Sequence, residues 1–233
     1  MARDPAVSSR PAVLGVDGYR GGWVGARVCD GEVEWLLLPD AEAVLEASTA
    51  VAATAVDAPI GLSEDGPRAC DVAARVLLGA RGVCVFPAPA RPVLAATSYA
   101  EACELSLRAR GVALSLQTWH ITAKIRELDL ALEGRPDAVV ECHPEVSFTL
   151  MSGAVLAPKR TAVGLKARLV ALDEWLDADA AMAALPSGPR RDDGLDALAC
   201  AWTADRVRRG LAVRLPDGPL QHDRLGRPMQ ILG

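Results

Sequence analysis

Three short apolar runs near the start of the chain are the strongest constraint on its fold. They cover residues 12–16, 22–29 and 33–38, and glycine-rich or Asp-Gly breaks separate them. Apolar runs of this length, bounded by turn residues, are typical of β-strands joined by tight turns. The first part of the chain is therefore expected to form a three-stranded antiparallel meander.

A helix and a fourth strand are expected after the meander. The segment DAEAVLEAS reads as a helix with Asp40 as its N-cap, and AVAATAVDAPI reads as a buried strand that ends at Pro59. A helical crossover allows the fourth strand to lie parallel to the first. The order β-β-β-α-β thus predicts that Asp17 and Asp57 lie at the same, carboxyl-terminal edge of the sheet, where open α/β sheets place their sites.

The rest of the chain is expected to be mostly helical, with one further strand. Helices are predicted in RACDVAARVLLG, SYAEACELSLRARG, SLQTWHITAKIRELDLALEG, KRTAVGLKARLVALDEWL and DDGLDALACAWTADRVRRG. The segment ARGVCVFPAPARP predicts a rigid non-helical loop, AVVECHPEV a fifth strand with Glu141 at its end, and the tail a short hairpin. We expect an α/β fold with a mixed five-stranded sheet flanked by helices. It would form a single domain over residues 11–233, with a helical insertion at about 65–135 and a disordered tail over residues 1–10.

Composition and charge exclude several classes of protein. Apolar residues make up 51% and charged residues 24% of the chain, which is typical of a globular domain and not of a disordered one. No apolar run is long enough to span a bilayer, and the first ten residues lack a secretory signal, so we expect a cytoplasmic protein. The six cysteines occur singly, which indicates neither a zinc module nor a disulfide framework. A net charge of -5 argues against a protein that holds long nucleic acid through bulk positive charge.

Acidic residues follow three of the predicted strands and open the last helix. They are Asp17 after the first strand, Asp57 after the fourth, Glu141 after the fifth, and Asp192, Asp193 and Asp196 in the helix. Spacings of three and four residues allow two of the helical acids to share one face. Carboxylates gathered at one sheet edge repel each other, and a hard divalent cation neutralises such a cluster. Ligands that are all oxygen favour Mg²⁺ or Mn²⁺ over zinc.

Most of these acids also have a structural explanation. Asp17 belongs to an Asp-Gly dipeptide that is common in turns, and Asp57 could cap a turn. Asp192 and Asp193 would complement the helix dipole in the first turn. Asp196 is harder to explain in this way, because it follows the cap within the apolar segment GLDALACAW. A buried unpaired carboxylate there would cost several kcal/mol.

Four segments in order, GVDGYRGGW, DAPIGL, ECHPEVSF and DDGLDALACAWTA, identify a family resemblance. From about residue 13 to 231 the chain resembles the DUF429 family, which is described as predicted RNase H-like nucleases. The resemblance implies an RNase H-like fold in which the first and fourth strands and the last helix provide the acids, much as in RuvC-type resolvases. By position, it implies metal ligands at Asp17, Asp57, Asp193 and Asp196, with Glu141 and His143 as accessory catalytic residues.

If the site is a nuclease, the chemistry follows from the acids. Two Mg²⁺ or Mn²⁺ ions roughly 4 Å apart would be bridged by Asp17, and would activate a water and stabilise the leaving oxygen of a phosphodiester. The products would carry a 5′-phosphate. His143 could assist proton transfer or product release, or could be a structural hydrogen bonder before Pro144. Glu145 either belongs to the acidic site at this edge of the sheet or is exposed to solvent.

Phosphate contacts need basic side chains despite the acidic total. The segment PKRTAVGLKAR is the densest basic stretch and follows ECHPEVSF, so we expect it to bind substrate. The predicted substrate-binding residues are Lys159, Arg160, Lys166, Arg168 and, from another segment, Lys124; Arg68, Arg75 and Arg81 form a third basic group. The alternative for such residues is a solvated helix face. Trp119 could stack on a base, but a tryptophan at helical spacing is more often a core residue.

Three functions remain open from the sequence. The first is a metal-dependent nuclease or phosphoesterase whose substrate is nucleic acid or a nucleotide-like phosphorylated compound. The second is an enzyme or binding protein for a small nucleotide or phosphorylated metabolite, which the net acidic charge favours over a long duplex. The third is a non-catalytic partner protein that retains only the fold, since a fold does not determine a function. The sequence is also compatible with a homodimer.

Overall fold

A mixed five-stranded sheet with helices on both faces forms the centre of the protein in its computed structural model, which describes residues 10–233. The sheet contains β1 (Val13–Tyr19), β2 (Gly22–Cys29), β3 (Glu32–Leu38), β4 (Thr54–Val56) and β5 (Val140–Glu141). The helices are α1 (Ala41–Ser48), α2 (Ala69–Leu78), α3 (Tyr99–Arg110), α4 (Leu116–Ala131), α5 (Pro144–Ser152), α6 (Ala162–Asp173), α7 (Ala178–Ala183) and α8 (Arg191–Arg208). Four two-residue strands follow α8: β6 (Arg214–Leu215), β7 (Gln221–His222), β8 (Pro228–Met229) and β9 (Ile231–Leu232).

The order of the strands confirms the predicted crossover. In the sheet they run β3-β2-β1-β4-β5, with β1, β2 and β3 antiparallel and with β4 and β5 parallel to β1. Val16 is aligned with Val56, and the amide of Asp57 donates to the carbonyl of Val16 at 2.9 Å. Asp17 and Asp57 therefore lie side by side at the carboxyl-terminal edge of two parallel strands. The α/β, RNase H-like arrangement expected from the sequence is confirmed.

Residues on the two faces of β1 pack against different helices. Leu14 and Val16 belong to a core cluster that includes residues of α1 and α4. Val13 belongs to a second cluster, which contains the buried residues of α8 together with parts of α5, α6 and α7. Because side chains alternate along a strand, Gly15 and Asp17 point to the same side as Val13. The side chain of Asp17 is thus directed towards α8.

Helix α8 approaches β1 so closely that only glycine fits between them. A Cβ atom at Gly15 would lie 1.9 Å from the backbone nitrogen of Ala201 and 2.2 Å from the carbonyl oxygen of Ala197. Ala197 and Ala201 are themselves fully buried and have small side chains, so the two backbones can come into contact. This contact fixes the height of α8 above the strand, and with it the position of the acids in its first turns.

The main differences from the sequence-based prediction occur after β5. The predicted strand in AVVECHPEV is limited to two residues, because Pro144 starts a helix in which His143 is the N-cap. Proline suits the first position of a helix, where no intrahelical amide hydrogen bond is needed. Helix α7 was not predicted, and the loop in ARGVCVFPAPARP contains two 3₁₀ helices, Gly79–Cys84 and Arg91–Ala95.

Other expectations agree with the structure. Helices α2, α3 and α4 occupy the expected segment between β4 and β5, and β7 pairs with β8 as a short antiparallel hairpin in the tail. All six cysteines are free. Within residues 10–233, no helix combines the length and the apolar character needed to cross a membrane. The tail predicted to be disordered lies outside the described residues, apart from Arg10.

We expect Gly15→Ala to lower the free energy of unfolding by at least about 2 kcal/mol, because an added methyl group would have to push α8 away from β1. Urea or thermal unfolding measures the change. Gly66→Ala is the matched control, since a Cβ atom there would have only the Ser63 hydroxyl oxygen nearby, at 3.9 Å. Equal stability of the two variants would show that α8 does not need this close approach.

Candidate functional site

A cavity of about 570 Å³ lies at the carboxyl-terminal edge of β1 and β4. Seven acids and five bases from separate parts of the chain line it: Asp17, Asp57, Asp71, Glu141, Glu145, Asp192, Asp196, Arg68, Arg81, Lys124, Lys159 and Arg160. Asp17 and Asp57 come from the sheet, whereas Asp192 and Asp196 come from the first turns of α8. The structure thus brings together carboxylates that are far apart in the sequence, as predicted.

Asp17 is buried and Asp57 is half-buried, and the two carboxylates lie close enough to repel each other. Asp17 is 8% exposed, and its Oδ1 atom accepts a hydrogen bond from the Gly18 amide at 2.7 Å. Burial, followed by repulsion from Asp57 and Asp196, raises the pKa of Asp17 well above its ordinary value. Burial also raises the pKa of Asp57 to about 6, although the attraction of Lys159 opposes that rise. Both carboxyl groups are therefore harder to ionise than in water, chiefly because of burial.

Asp196 has one carboxylate oxygen paired and one free. Its Oδ2 atom forms an ion pair with the ammonium group of Lys159, while Oδ1 is buried and has no hydrogen-bond partner among the described residues. Burial, together with repulsion from Asp57, raises the pKa of Asp196 to about 7 against the attraction of Lys159. A buried carboxylate oxygen without a partner is costly, and such an atom needs an explanation. This oxygen is free to accept a hydrogen bond or to contact a cation.

Lys159 lies where the negative charge of the site is concentrated. Burial would lower the pKa of Lys159, but attraction to Asp196, Asp57 and Asp17 outweighs this and raises the pKa above its ordinary value. The ammonium group therefore stays charged and serves as an internal counter-ion. The sequence predicted Lys159 as a phosphate-binding residue, and the structure shows in addition that it is tied to an acid of the site.

The acids of α8 have different roles at its start. Asp192 and Asp196 are four residues apart, share one face of the helix and line the cavity. Asp193 does not line the cavity; its Oδ2 atom accepts the backbone amide of Arg190 at 2.7 Å in a capping box. The geometry therefore favours Asp192 over Asp193 as the second acid from α8, although the resemblance implied Asp193.

Glu141 is engaged by the protein itself. The guanidinium group of Arg68 contacts its two oxygens at 2.7 Å each, and the amide of Ile60 donates to Oε2 at 2.6 Å. Arg68 is 3% exposed and also donates to Asp71, so it is an interior residue and not the phosphate contact considered from the sequence. Glu141 and Arg68 hold the turn that follows Asp57, which makes Glu141 a positioning residue more than a free catalytic acid.

His143 lines the cavity but also caps α5. Its Nδ1 atom accepts the amide of Glu145 at 3.2 Å. Burial lowers the pKa of His143, although Glu145 and Asp196 oppose that change, so the imidazole is neutral near pH 7. Both alternatives from the sequence are therefore compatible with its position: the ring is a structural acceptor, and it faces the cavity.

Arg168 corrects one prediction. The sequence placed it among the substrate-binding residues, but it is completely buried and donates to both oxygens of Glu145 at 2.7 and 2.6 Å. Its guanidinium also donates to the carbonyls of Ala157 and Gly164. An arginine with these partners anchors the segment before α6, and it cannot reach a ligand in the cavity. The prediction failed because helical spacing does not show which face of α6 is covered.

The other predicted bases divide into two groups. Arg160 is exposed at the cavity, and the Lys124 ammonium lies 4.7 Å from the centre of the Trp23 ring and 3.1 Å from Glu127. Lys166 is exposed on α6 and does not line the cavity. Lys124, Lys159 and Arg160 are therefore placed to meet a ligand in this cavity, whereas Lys166 is not.

Several apolar residues of the cavity were not predicted. Phe86, Ile121 and Ile125 line it, the first from the loop between the 3₁₀ helices and the other two from α4. The signal for the α4 residues was the spacing of three and four between Ile121, Lys124 and Ile125, which places them on one face. Trp119 does not line the cavity; it packs against Tyr99, with ring centres 6.2 Å apart, as the core interpretation predicted.

The donor chemistry fits a hard divalent cation, although the ligands are not preassembled. Within residues 10–233, no three His, Cys, Asp or Glu side chains are grouped closely enough to hold a metal ion as they stand. The ammonium group of Lys159 pairs with one oxygen of Asp196. The buried Oδ1 of Asp196 nevertheless has no hydrogen-bond partner among the described residues, so this oxygen is free to contact a cation.

Comparison with known proteins identifies the family. The sequence profile described as "Protein of unknown function (DUF429)" matches residues 15–221, which is most of the chain. The chain belongs to the DUF429 family. No curated protein and no solved structure matches it. The matched region of this DUF429 member contains all of the acids that line the cavity.

We expect Asp17→Asn to stabilise the metal-free protein at about pH 8 and to have little effect at about pH 4. A carboxyl group whose folded-state pKa is raised loses stability as the pH rises from its ordinary pKa through the folded one, because the unfolded chain releases the proton first. The asparagine carries no charge and can keep the Gly18 hydrogen bond. Melting in a chelator should show a rise of about 2–4 °C at the higher pH. Destabilisation at both pH values would contradict the burial of excess charge.

Proposed function

We propose that this DUF429 protein is a divalent-metal-dependent hydrolase of phosphodiesters. The observation that carries the proposal is the convergence of Asp17, Asp57 and Asp196 at one sheet edge, where an oxygen of Asp196 is buried without a partner. Ionised carboxylates in a poorly solvated site repel each other, and this repulsion favours the binding of a cation. Their exclusively oxygen donors suit Mg²⁺ or Mn²⁺.

One group of residues would hold the cation, and another would bind the phosphate of the substrate. Asp17, Asp57 and Asp196 would hold the cation, with Asp192 on the same face of α8 as a further oxygen donor. Arg160 and Lys124 would attract the phosphate from the rim of the cavity. Glu141 would act through Arg68 and the backbone of the turn, keeping Asp57 in place.

The reaction is the addition of water to phosphorus. A bound divalent cation would lower the pKa of the attacking water and offset charge on the phosphoryl oxygens. The oxygen of water forms a bond to phosphorus, and the bond from phosphorus to the leaving oxygen breaks. One proton passes from the attacking water to bulk solvent, because Asp17, Asp57 and Asp196 would be engaged in holding the cation. The leaving oxygen takes a proton from solvent, so that one phosphomonoester and one alcohol result.

Binding of Mn²⁺ should raise the melting temperature of the protein by about 5–10 °C when the ion is roughly a hundredfold above its Kd. Asp17→Asn should abolish that rise and reduce hydrolysis of a phosphodiester at least about 100-fold, since it removes charge from the ion site. Differential scanning fluorimetry and product release measure the two effects. Asp65→Asn is the control, because Asp65 is exposed and does not line the cavity. An unchanged Mn²⁺ response in Asp17→Asn would refute the proposed site.

Lys159→Met should strengthen the binding of Mn²⁺ by several fold, because the ammonium group no longer competes for Asp196. The half-saturating concentration of Mn²⁺ in thermal melting should fall accordingly. Lys166→Met provides the comparison, since that lysine is exposed outside the cavity. A Lys159→Met protein that binds Mn²⁺ as weakly as the wild type would mean that the lysine and the ion do not share a position.

A further inference from the structure

The cavity has an apolar side in addition to its acidic side. Helices α8 and α4 pack on opposite faces of the sheet, so their residues enter the cavity at the sheet edge from different directions. Asp192 and Asp196 come from α8, whereas Ile121 and Ile125 come from α4. Phe86, in the proline-rich stretch after the first 3₁₀ helix, adds an aromatic ring to the lining. A ligand in the cavity would therefore meet carboxylates from α8, and it would meet both hydrocarbon and the Lys124 ammonium group from α4.

Phe86 is unusual because its ring is not buried by the protein. It is 42% exposed although it lines a concave site. Binding sites for small molecules combine apolar and aromatic walls with a few polar groups that fix orientation. An exposed aromatic ring beside basic residues can stack on a nucleic-acid base, an interaction worth about 1–3 kcal/mol per base. The proposed metal chemistry at the acids does not use this ring, which leaves it free to contact the organic part of a ligand.

The basic residues at the cavity supply the charge that would complement a phosphate. Arg81 is partly exposed there and lies 3.8 Å from Glu145, while Lys124 is held above the Trp23 ring at 4.7 Å. Arg160 is exposed at the same cavity. These three bases are few, and the chain as a whole has a net charge of -5. The structure therefore offers local phosphate contacts without the long basic surface that a duplex requires.

The size of the cavity limits what can enter it. Its volume of about 570 Å³ lies within the range of about 300–1,000 Å³ that is usual for small-ligand sites. One nucleotide unit fits this range, and the interior of a duplex does not, because its bases are stacked and its phosphates lie on the outside of a rigid rod. A base can reach Phe86 only when it is unpaired and outside the stack.

We propose that the cavity binds a single unpaired nucleotide unit, with its base against Phe86 and Ile121 and its phosphodiester directed towards the acids. The proposal names the substrate class of the site and rests on the phosphodiesterase function proposed above. The unit can belong to a free dinucleoside monophosphate or to the end of a single strand, since both present the same base and phosphodiester. Phe86 and Ile121 are thus specificity residues and not metal ligands.

Calorimetric binding to the Asp17→Asn protein separates recognition from turnover. We expect a dinucleoside monophosphate to bind at least about tenfold more tightly than dimethyl phosphate, which has no base. Phe86→Ala should lose about five- to tenfold in that affinity, and Phe86→Tyr, which keeps the ring, should retain it. Val83→Ala is the control, since Val83 is exposed on the preceding 3₁₀ helix and does not line the cavity. Melting curves show whether each variant is folded.

Linear and circular single strands then distinguish the two sources of the unit. Competition by the linear strand alone indicates a strand end, and competition by neither indicates a free small phosphodiester; both results support the proposal. Equal affinity for dimethyl phosphate and the dinucleoside monophosphate would overturn it. So would binding of a duplex with closed ends as tight as that of the dinucleoside monophosphate, or an unchanged affinity in a folded Phe86→Ala protein.

Failure of the proposed hydrolase function would look different. Suppose that binding depends on the Phe86 ring but the wild-type protein hydrolyses nothing in Mn²⁺. This result would support the nucleotide-binding site and refute the proposed hydrolase function. Hydrolysis of small phosphodiesters with the same kcat/KM in the wild type and in Phe86→Ala would support the hydrolase function and refute the role of Phe86 in binding a base. The matched measurements of binding and turnover therefore test the two proposals separately.

Discussion

The direct contact between α8 and β1 fixes the geometry of the candidate site. Gly15 presents no side chain to the helix, and Ala197 and Ala201 present only methyl groups, so the two backbones meet. Packing at this distance leaves α8 little freedom to slide or tilt, because protein interiors are close-packed. That contact fixes the position of Asp196, because Asp196 is adjacent to Ala197 in the part of the helix that faces the sheet edge. A bulkier residue at position 15 would move the acid together with the helix.

The balance of charge at the site depends on a residue from a third element. Lys159 precedes α6, and its position is secured by the neighbouring segment in which Arg168 binds Glu145 and two backbone carbonyls. The lysine neutralises part of the acidic cluster, yet Asp196 keeps an unpartnered oxygen and the pKa of Asp17 stays raised. Interior charge that is only partly compensated lowers stability, and such sites are often where function is found.

Local pattern was sufficient for much of the fold. The meander could be predicted because apolar runs and turn residues alternate, and the parallel placement of β4 follows from the helix before it. Helix ends were predicted well where a glycine follows, as at Gly111, which has the positive φ that this residue allows. The pattern failed at α5, since an apolar segment after β5 can continue as a strand or turn into a helix, and only the cap at His143 decides between them.

The sequence by itself indicated which acids lie near the carboxyl-terminal ends of β1, β4 and β5, because each follows a buried apolar run; β1 nevertheless continues to Tyr19, two residues beyond Asp17. It did not determine which charged side chains reach the cavity. Arg168 and Lys166 are two residues apart on one helix, yet the first is completely buried and the second is exposed. Tertiary packing alone decided this, as it decided that α4 and Phe86 give the acidic edge an apolar side. Such contacts join residues far apart in the chain, and no local spacing encodes them.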